Sequence, residues 1–263
     1  MARTLDLTLR STSAALALFA LGCGGGVPLL HGAHALSPGT TLTGVGFSGT
    51  FTAGAARDAM NAARASDPST PRRDELLAKD AAVTAALAPS VAPFVAMRIG
   101  LTGDNEVGFA YTGRFLRFDA RHAFESGKWA YSVGAGARGS LNASNSGAES
   151  DGAPSSPRAP AYGFDVPLLV GWRSNAGIVS IWGGARGGLD RIHSGSNGAT
   201  PGSLDLTHWR AGGVVGLAIG FRHVHAAIEL ETSYHGVKGT FGGAPVEVRG
   251  VTLTPAGGVL FTF

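Results

Sequence analysis

The chain has 263 residues, enough for one barrel or two ordinary domains. Hydrophobic residues make up 44% and charged residues only 15%, whereas a water-facing surface takes about 25% charged residues or more. Part of the exterior therefore faces something other than water. The formal charge of +3 is small and no basic cluster is interleaved with aromatics, which argues against nucleic acid as a partner. Glycine is abundant, at 41 residues, with no collagen triplet. The glycines fall inside apolar alternations, where they allow twist and close approach of strands.

The chain opens as an export signal: Arg3 and Arg10, then an apolar run from Ala14 to Gly22. That run is shorter than the about 20 residues of a spanning helix. Two processing sites follow, so a signal peptide within 1–35 ends either before Cys23 or after Ala35. Ala20-Leu21-Gly22-Cys23 is similar to a lipobox, with Ala20 where lipoboxes prefer Leu, and would leave Cys23 as a lipidated first residue. Ala33-His34-Ala35 has the A-x-A form, with cleavage before Leu36. Cys23 is the only cysteine, and lipid attachment would account for an unpaired thiol in an oxidising compartment; loss with the signal peptide would account for it too. No later apolar run reaches the length of a membrane helix, so a membrane location requires strands.

Thr41 to Ala53 alternates, with Val45, Phe47 and Phe51 on one face, and predicts a first strand. Residues 54–90 change character. ARDAMNAARA and DELLAKDAAVTAALA predict two helices, split by the breaker SDPSTPRR. This helical insert either packs on a barrel mouth or serves as a plug.

From Val91 the period-2 pattern is sustained. Val95, Met97, Ile99 and Leu101 share a face, followed by the turn Gly103-Asp104-Asn105. Val107, Phe109 and Tyr111 come next, then Leu116, Phe118, Ala120 and Phe124, with a tight turn expected at Thr112-Gly113-Arg114. Trp129, Tyr131 and Val133 follow the turn at Ser126 to Lys128. Residues 142–160 read as a long exposed loop without periodicity. Beyond it, Phe164 to Trp172, Val179 to Leu189, Trp209 to Phe221 and Ile228 to Tyr234 continue the alternation. A second loop is expected from about His193 to Ser203, and a short loop before the last strand. That strand, Arg249 to Phe263, sets Val251, Leu253, Val259, Phe261 and Phe263 against small or polar residues.

A final strand that is apolar on one face, small or polar on the other, and closed by a terminal aromatic resembles that of bacterial outer-membrane β-barrels. The resemblance covers 41–263 and is to the small, uncharacterised barrels of Gram-negative bacteria. It implies an all-β, closed, antiparallel, up-and-down transmembrane barrel in the outer membrane. It also implies surrounding outer-membrane lipid, and an assembly machinery that reads Phe263 and Phe261. Counting gives about ten strands, an even number with both termini on the periplasmic side.

The placement of charge agrees with that architecture. With the aromatic face outward, Arg98, Arg117, Asp119, Arg121, Arg138, Asp165, Arg173, Arg186, Asp190, Arg210, Glu229 and Glu231 all point inward. An Arg on the lipid face would cost about 2–4 kcal/mol at the midplane. The interior is then either an Arg–carboxylate network or a narrow polar pathway favouring anions. Trp129, Tyr131, Trp172, Trp209, Phe221 and Phe263 suit interfacial girdles.

Specific chemistry is sparse. Gly134-Ala135-Gly136-Ala137-Arg138-Gly139 matches a dinucleotide fingerprint, but no helix follows it. Glu229, Glu231, Ser233 and His235 share the inward face, away from the lipid interface where a lipid-modifying barrel enzyme needs its Ser and His. His208, His223 and His225 lack partners at metal-ligand spacing. The sequence predicts no catalytic residues, metal or cofactor. It leaves three roles in order: structural or surface interaction with an unspecified ligand, a narrow solute channel, and a lipid-modifying enzyme.

Overall fold

The computed structural model describes residues 25–140, 159–194 and 203–263. Cys23 and most of the loop expected at 142–160 lie outside the described residues, as does 195–202. The strands are β1 (Thr41–Gly49), β2 (Phe51–Ala53), β3 (Val91–Leu101), β4 (Asn105–Thr112), β5 (Phe115–Ser126), β6 (Trp129–Ser140), β7 (Ala161–Arg173), β8 (Val179–Ser194), β9 (Leu204–Phe221), β10 (Val224–Phe241) and β11 (Ala244–Thr262). Two helices, α1 (Ala55–Ala65) and α2 (Arg73–Leu87), stand between β2 and β3.

From β3 to β11 each strand pairs antiparallel with the next. β1 then pairs with β3 on one side and β11 on the other, which closes the wall. β2 continues the register of β1 against β11, with Ser48 opposite Ala256 and Phe51 opposite Leu253. The two segments are thus one stave, interrupted at Thr50, where the Thr50 amide turns to the Ser90 carbonyl. The result is a closed ten-stave barrel, the architecture that the alternation predicts.

One end of the barrel carries only short turns and the closing pair, in which Thr41 and Phe263 exchange backbone hydrogen bonds of 3.0 and 2.9 Å. By the sidedness of such barrels this end is periplasmic. The opposite, outer end carries the helical insert and two tight turns, Gly113-Arg114, at the Thr112-Gly113-Arg114 step where the sequence predicts one, and Gly242-Gly243. Residues 237–248, expected as a short loop, instead extend β10 and β11 into a protruding hairpin. Gly242 and Gly243 have φ of 56° and 81°, the left-handed pair that a two-residue hairpin turn needs.

The helices close the outer mouth. Ala56 and Met60 of α1 and Ala78, Ala82, Val83 and Leu87 of α2 join one buried cluster with Phe115, Ile192, Leu204, Leu206, Val237, Val246 and Val248 from the upper wall. Small residues on α2 let its backbone sit close against that wall. Between the helices, Asp67 accepts hydrogen bonds from Ser69 Oγ (2.6 Å) and the Ser69 amide (2.8 Å), which lower its pKa and fix the turn.

A third inward element precedes the barrel. Residues 25–40 run along the lumen, with Val27, Leu29, Leu30, His31 and Ala33 all buried. The lower interior packs Leu29, Leu30 and Ala33 with Phe94, Ala130, Leu169, Trp182, Val214 and Leu260.

Trp182 fits because its neighbour on β9 is glycine: a Cβ on Gly216 would enter the indole ring. Gly216→Val is expected to lower the stability of the detergent-solubilised barrel by about 1–3 kcal/mol in thermal unfolding. Gly183→Ala places its methyl at an ordinary 3.4 Å contact and should stay within about 0.5 kcal/mol.

Candidate functional site: the charged lumen

Strand alternation separates the two faces sharply. Ile228 is 62% exposed and its neighbour Glu229 only 4%. The outward band is bounded at its outer edge by Trp209 and Tyr234, whose rings lie 5.5 Å apart. Trp129, cross-strand from Trp172, marks the periplasmic edge with Phe221 and Phe263. Among the described residues no Arg, Lys, Asp or Glu faces outward between these limits. Outward charge resumes above the band, where Arg191 and Asp205 form an exposed pair at 2.7 Å. From Val251 to Phe263 a strand covers about 40 Å, and at a tilt of about 45° it crosses roughly 28 Å, the height of a hydrocarbon band. The molecule is a transmembrane β-barrel of the outer-membrane type.

Inside, six guanidiniums and five carboxylates interlock, and a sixth carboxylate, Glu229, is buried apart from them. Asp165, fully buried, accepts from Arg117 Nε (3.0 Å) and Arg186 Nε (2.5 Å), and Arg210 approaches to 3.6 Å. Arg186 also donates to Glu231 at 2.9 Å. Arg98 joins Glu106 (3.0 Å) and Asp119 (2.6 Å), and Arg117 reaches Asp119 as well. Arg121 donates to Glu106 at 2.7 Å, and Arg138 clasps Asp190 with two nitrogens. Arg173, which shares the inward parity, lies at the periplasmic rim instead, 44% exposed and 3.7 Å from Glu125. Glu106 is a member that the sequence reading left out. It opens β4 directly after a turn, and its parity opposite Val107, Phe109 and Tyr111 was the available signal.

Many inward glycines are the counterpart of these long side chains. A Cβ on Gly136 would meet Arg117 Nη2 and Asp165 Oδ1, both at 2.6 Å. One on Gly108 would meet Arg98 Nη1 at 2.6 Å. The guanidiniums lie flat across the neighbouring strand, and only glycine leaves that space. The Gly134–Gly139 run therefore belongs to the wall, in β6.

Ser233 and His235 both face the lumen without touching as nucleophile and base. Ser233 Oγ donates to Glu231 at 2.7 Å. His235 Nδ1 lies 2.8 Å from His208 Nε2, and its Nε2 lies 2.7 Å from Thr252 Oγ1. His208 Nδ1 in turn lies 2.9 Å from Asp190. All three histidine contacts are satisfied when His208 and His235 each donate from Nδ1 and the Thr252 hydroxyl donates to His235. The cavity beside this pair holds only about 40 Å3. His223 sits at the periplasmic turn beside the Thr262 carbonyl.

No protein-family model and no curated protein matches the sequence. Solved structures with similar architecture include Neisserial surface protein A (10% identity, 86% of this chain and 98% of that one, TM-score 0.36). Another is Ail, the attachment invasion locus protein of Yersinia pestis, solved with the heparin analogue sucrose octasulfate (11%, 86% and 100%, TM-score 0.33). A third is the outer membrane protease OmpT of Escherichia coli (8%, 88% and 100%, TM-score 0.36). At these values the likeness is one of architecture alone.

Asp165→Ala would remove the carboxylate that two buried guanidiniums share, leaving three cations of the network to two carboxylates, and is expected to cost about 3–5 kcal/mol. Asp205→Ala, at an exposed pair, should cost less than about 1 kcal/mol. Unfolding in detergent micelles measures both; equal losses would refute the difference drawn here between lumen and rim.

Proposed function

We propose that this chain is a bacterial outer-membrane barrel that acts at the cell surface through its outer end, with a lumen closed to solutes. The observation that carries this reading is the filling of the cross-section. Apolar packing with α1 and α2 occupies the outer mouth, the Arg–carboxylate network occupies the middle, and residues 25–40 run down the lumen, with Leu29, Leu30 and Ala33 filling its lower half. A narrow anion pathway would need unpaired guanidiniums along an open axis. Here Arg98, Arg117, Arg121, Arg138 and Arg186 each hold a carboxylate.

The outer end is also where the chain spends length beyond a minimal wall. It carries α1, α2, their polar linker and the hairpin that raises Lys238 and Glu247 above the lipid band. These elements offer a mixed-charge surface for a ligand outside the cell. Surrounding outer-membrane lipid would cover the apolar band, and the assembly machinery would read Phe261 and Phe263. The separate partners of Ser233 and His235 favour a binding or structural role over lipid hydrolysis.

Planar-bilayer recording of the purified barrel in concentrated KCl tests the closed lumen. No conductance steps above background are expected. Reproducible steps with anion preference would overturn the reading in favour of a channel.

A further inference from the structure

We infer that residues 25–40 are a permanent strap of the mature barrel, an additional crossing of the membrane that sets its N-terminal end, Gly25, at the outer end. The inference rests on the surface orientation proposed above. An even-staved wall sets both ends of its own chain at the periplasmic side; the strap adds one more passage and moves the N-terminal end across.

The direction of the strap follows from its contacts. The Gly25 amide donates to Ala88 at the C-terminal end of α2 (3.3 Å), and Ser48 Oγ donates to the Gly26 carbonyl (2.7 Å), both at the outer end. The Gly39 amide donates to the Gly100 carbonyl (2.9 Å) beside the periplasmic turn of β3 and β4. Between these points the wall holds the strap by its backbone. Arg186 Nη1 donates to the Val27 carbonyl at 2.8 Å. Arg121 donates to the carbonyls of Gly32 and His34. Glu106 accepts from the Leu36 amide, and Glu125 from the Ala35 amide at 2.7 Å.

Glu229 decides the matter. Its two oxygens accept from the successive amides of Leu29 and Leu30, each at 2.8 Å. Its only other partner among the described residues is Trp182 Nε1, at 3.1 Å. The other five lumen carboxylates are each paired with Arg, whereas Glu229 is not. Without the strap, a buried carboxylate would face a single indole N–H, and burial of a charge so poorly paired is strongly unfavourable. The same removal would uncover Leu169, Val214 and Leu260 in the lower lumen. The wall is built around a peptide. Of the two processing sites in the sequence, cleavage before Cys23 keeps that peptide and cleavage after Ala35 discards it.

The test uses full-length protein exported to the outer membrane of a Gram-negative host. Mass spectrometry of the purified protein should find residues 25–35 in the mature chain; a chain beginning at Leu36 overturns the inference. A short hydrophilic epitope inserted between Gly24 and Gly25 should bind antibody on intact cells as well as one inserted after Ser69. Binding only after permeabilisation overturns it. Hydrogen exchange on the unaltered sequence avoids any assembly defect of the insertion. The Leu29 and Leu30 amides should be protected, and Glu229→Gln should speed their exchange about tenfold while β4 is unchanged. Unprotected amides overturn the strap. A truncated chain that still gives no conductance removes the strap and leaves the closed lumen standing; an intact strap with conductance steps does the reverse.

Discussion

The fold depends on the pairing of guanidiniums with carboxylates behind a wall whose other face meets hydrocarbon. Neither part stands alone. Moving one Arg to the lipid face costs about 2–4 kcal/mol, and an unpaired ion inside costs as much or more. Strand alternation solves both demands at once, because neighbouring residues on a strand occupy opposite solvents. The same network sets the glycine content. Gly108 and Gly136 are small because Arg98 and Arg117 lie across them, so high glycine and a full lumen are one feature.

The interior is stratified. Near the outer mouth the inward side chains are Leu204, Leu206, Val237, Val246 and Val248, covered by α1 and α2. Charge occupies the middle, and a second apolar cluster around Trp182 and Phe94 lies below. A uniformly polar lumen would have admitted water along its length. Here two apolar layers bracket the ion pairs, and buried ion pairs lose less to screening than exposed ones. The helical insert thus packs on the inward face of the upper wall at the barrel mouth.

Parity carried most of what could be read from the sequence. Once outward residues were fixed as aromatic and branched, twelve inward charges followed without coordinates, and eleven of them, all but Arg173, lie in the lumen. What escaped lay where parity had no run to lean on. Glu106 begins a strand at a turn. Arg173 has the inward parity but stands at the rim, because alternation gives direction and says nothing of depth. The upper β10–β11 hairpin mixes glycine, lysine and proline, and its apolar residues point inward to the helices, so it did not read as lipid-facing strand.

Residues 25–40 escaped for a different reason. Their composition, apolar with small residues and an A-x-A step, is also that of the end of an export signal. A segment held through its backbone amides and carbonyls needs no particular side chains beyond small or apolar ones that fit the space. The recognition information lies in the wall, at Glu229, Arg121, Arg186 and Glu106, and those residues read only as members of a charge network. A carboxylate such as Glu229, with no basic partner on any neighbouring strand, is the kind of imbalance that marks a missing element. The imbalance appears only when strand register shows who faces whom.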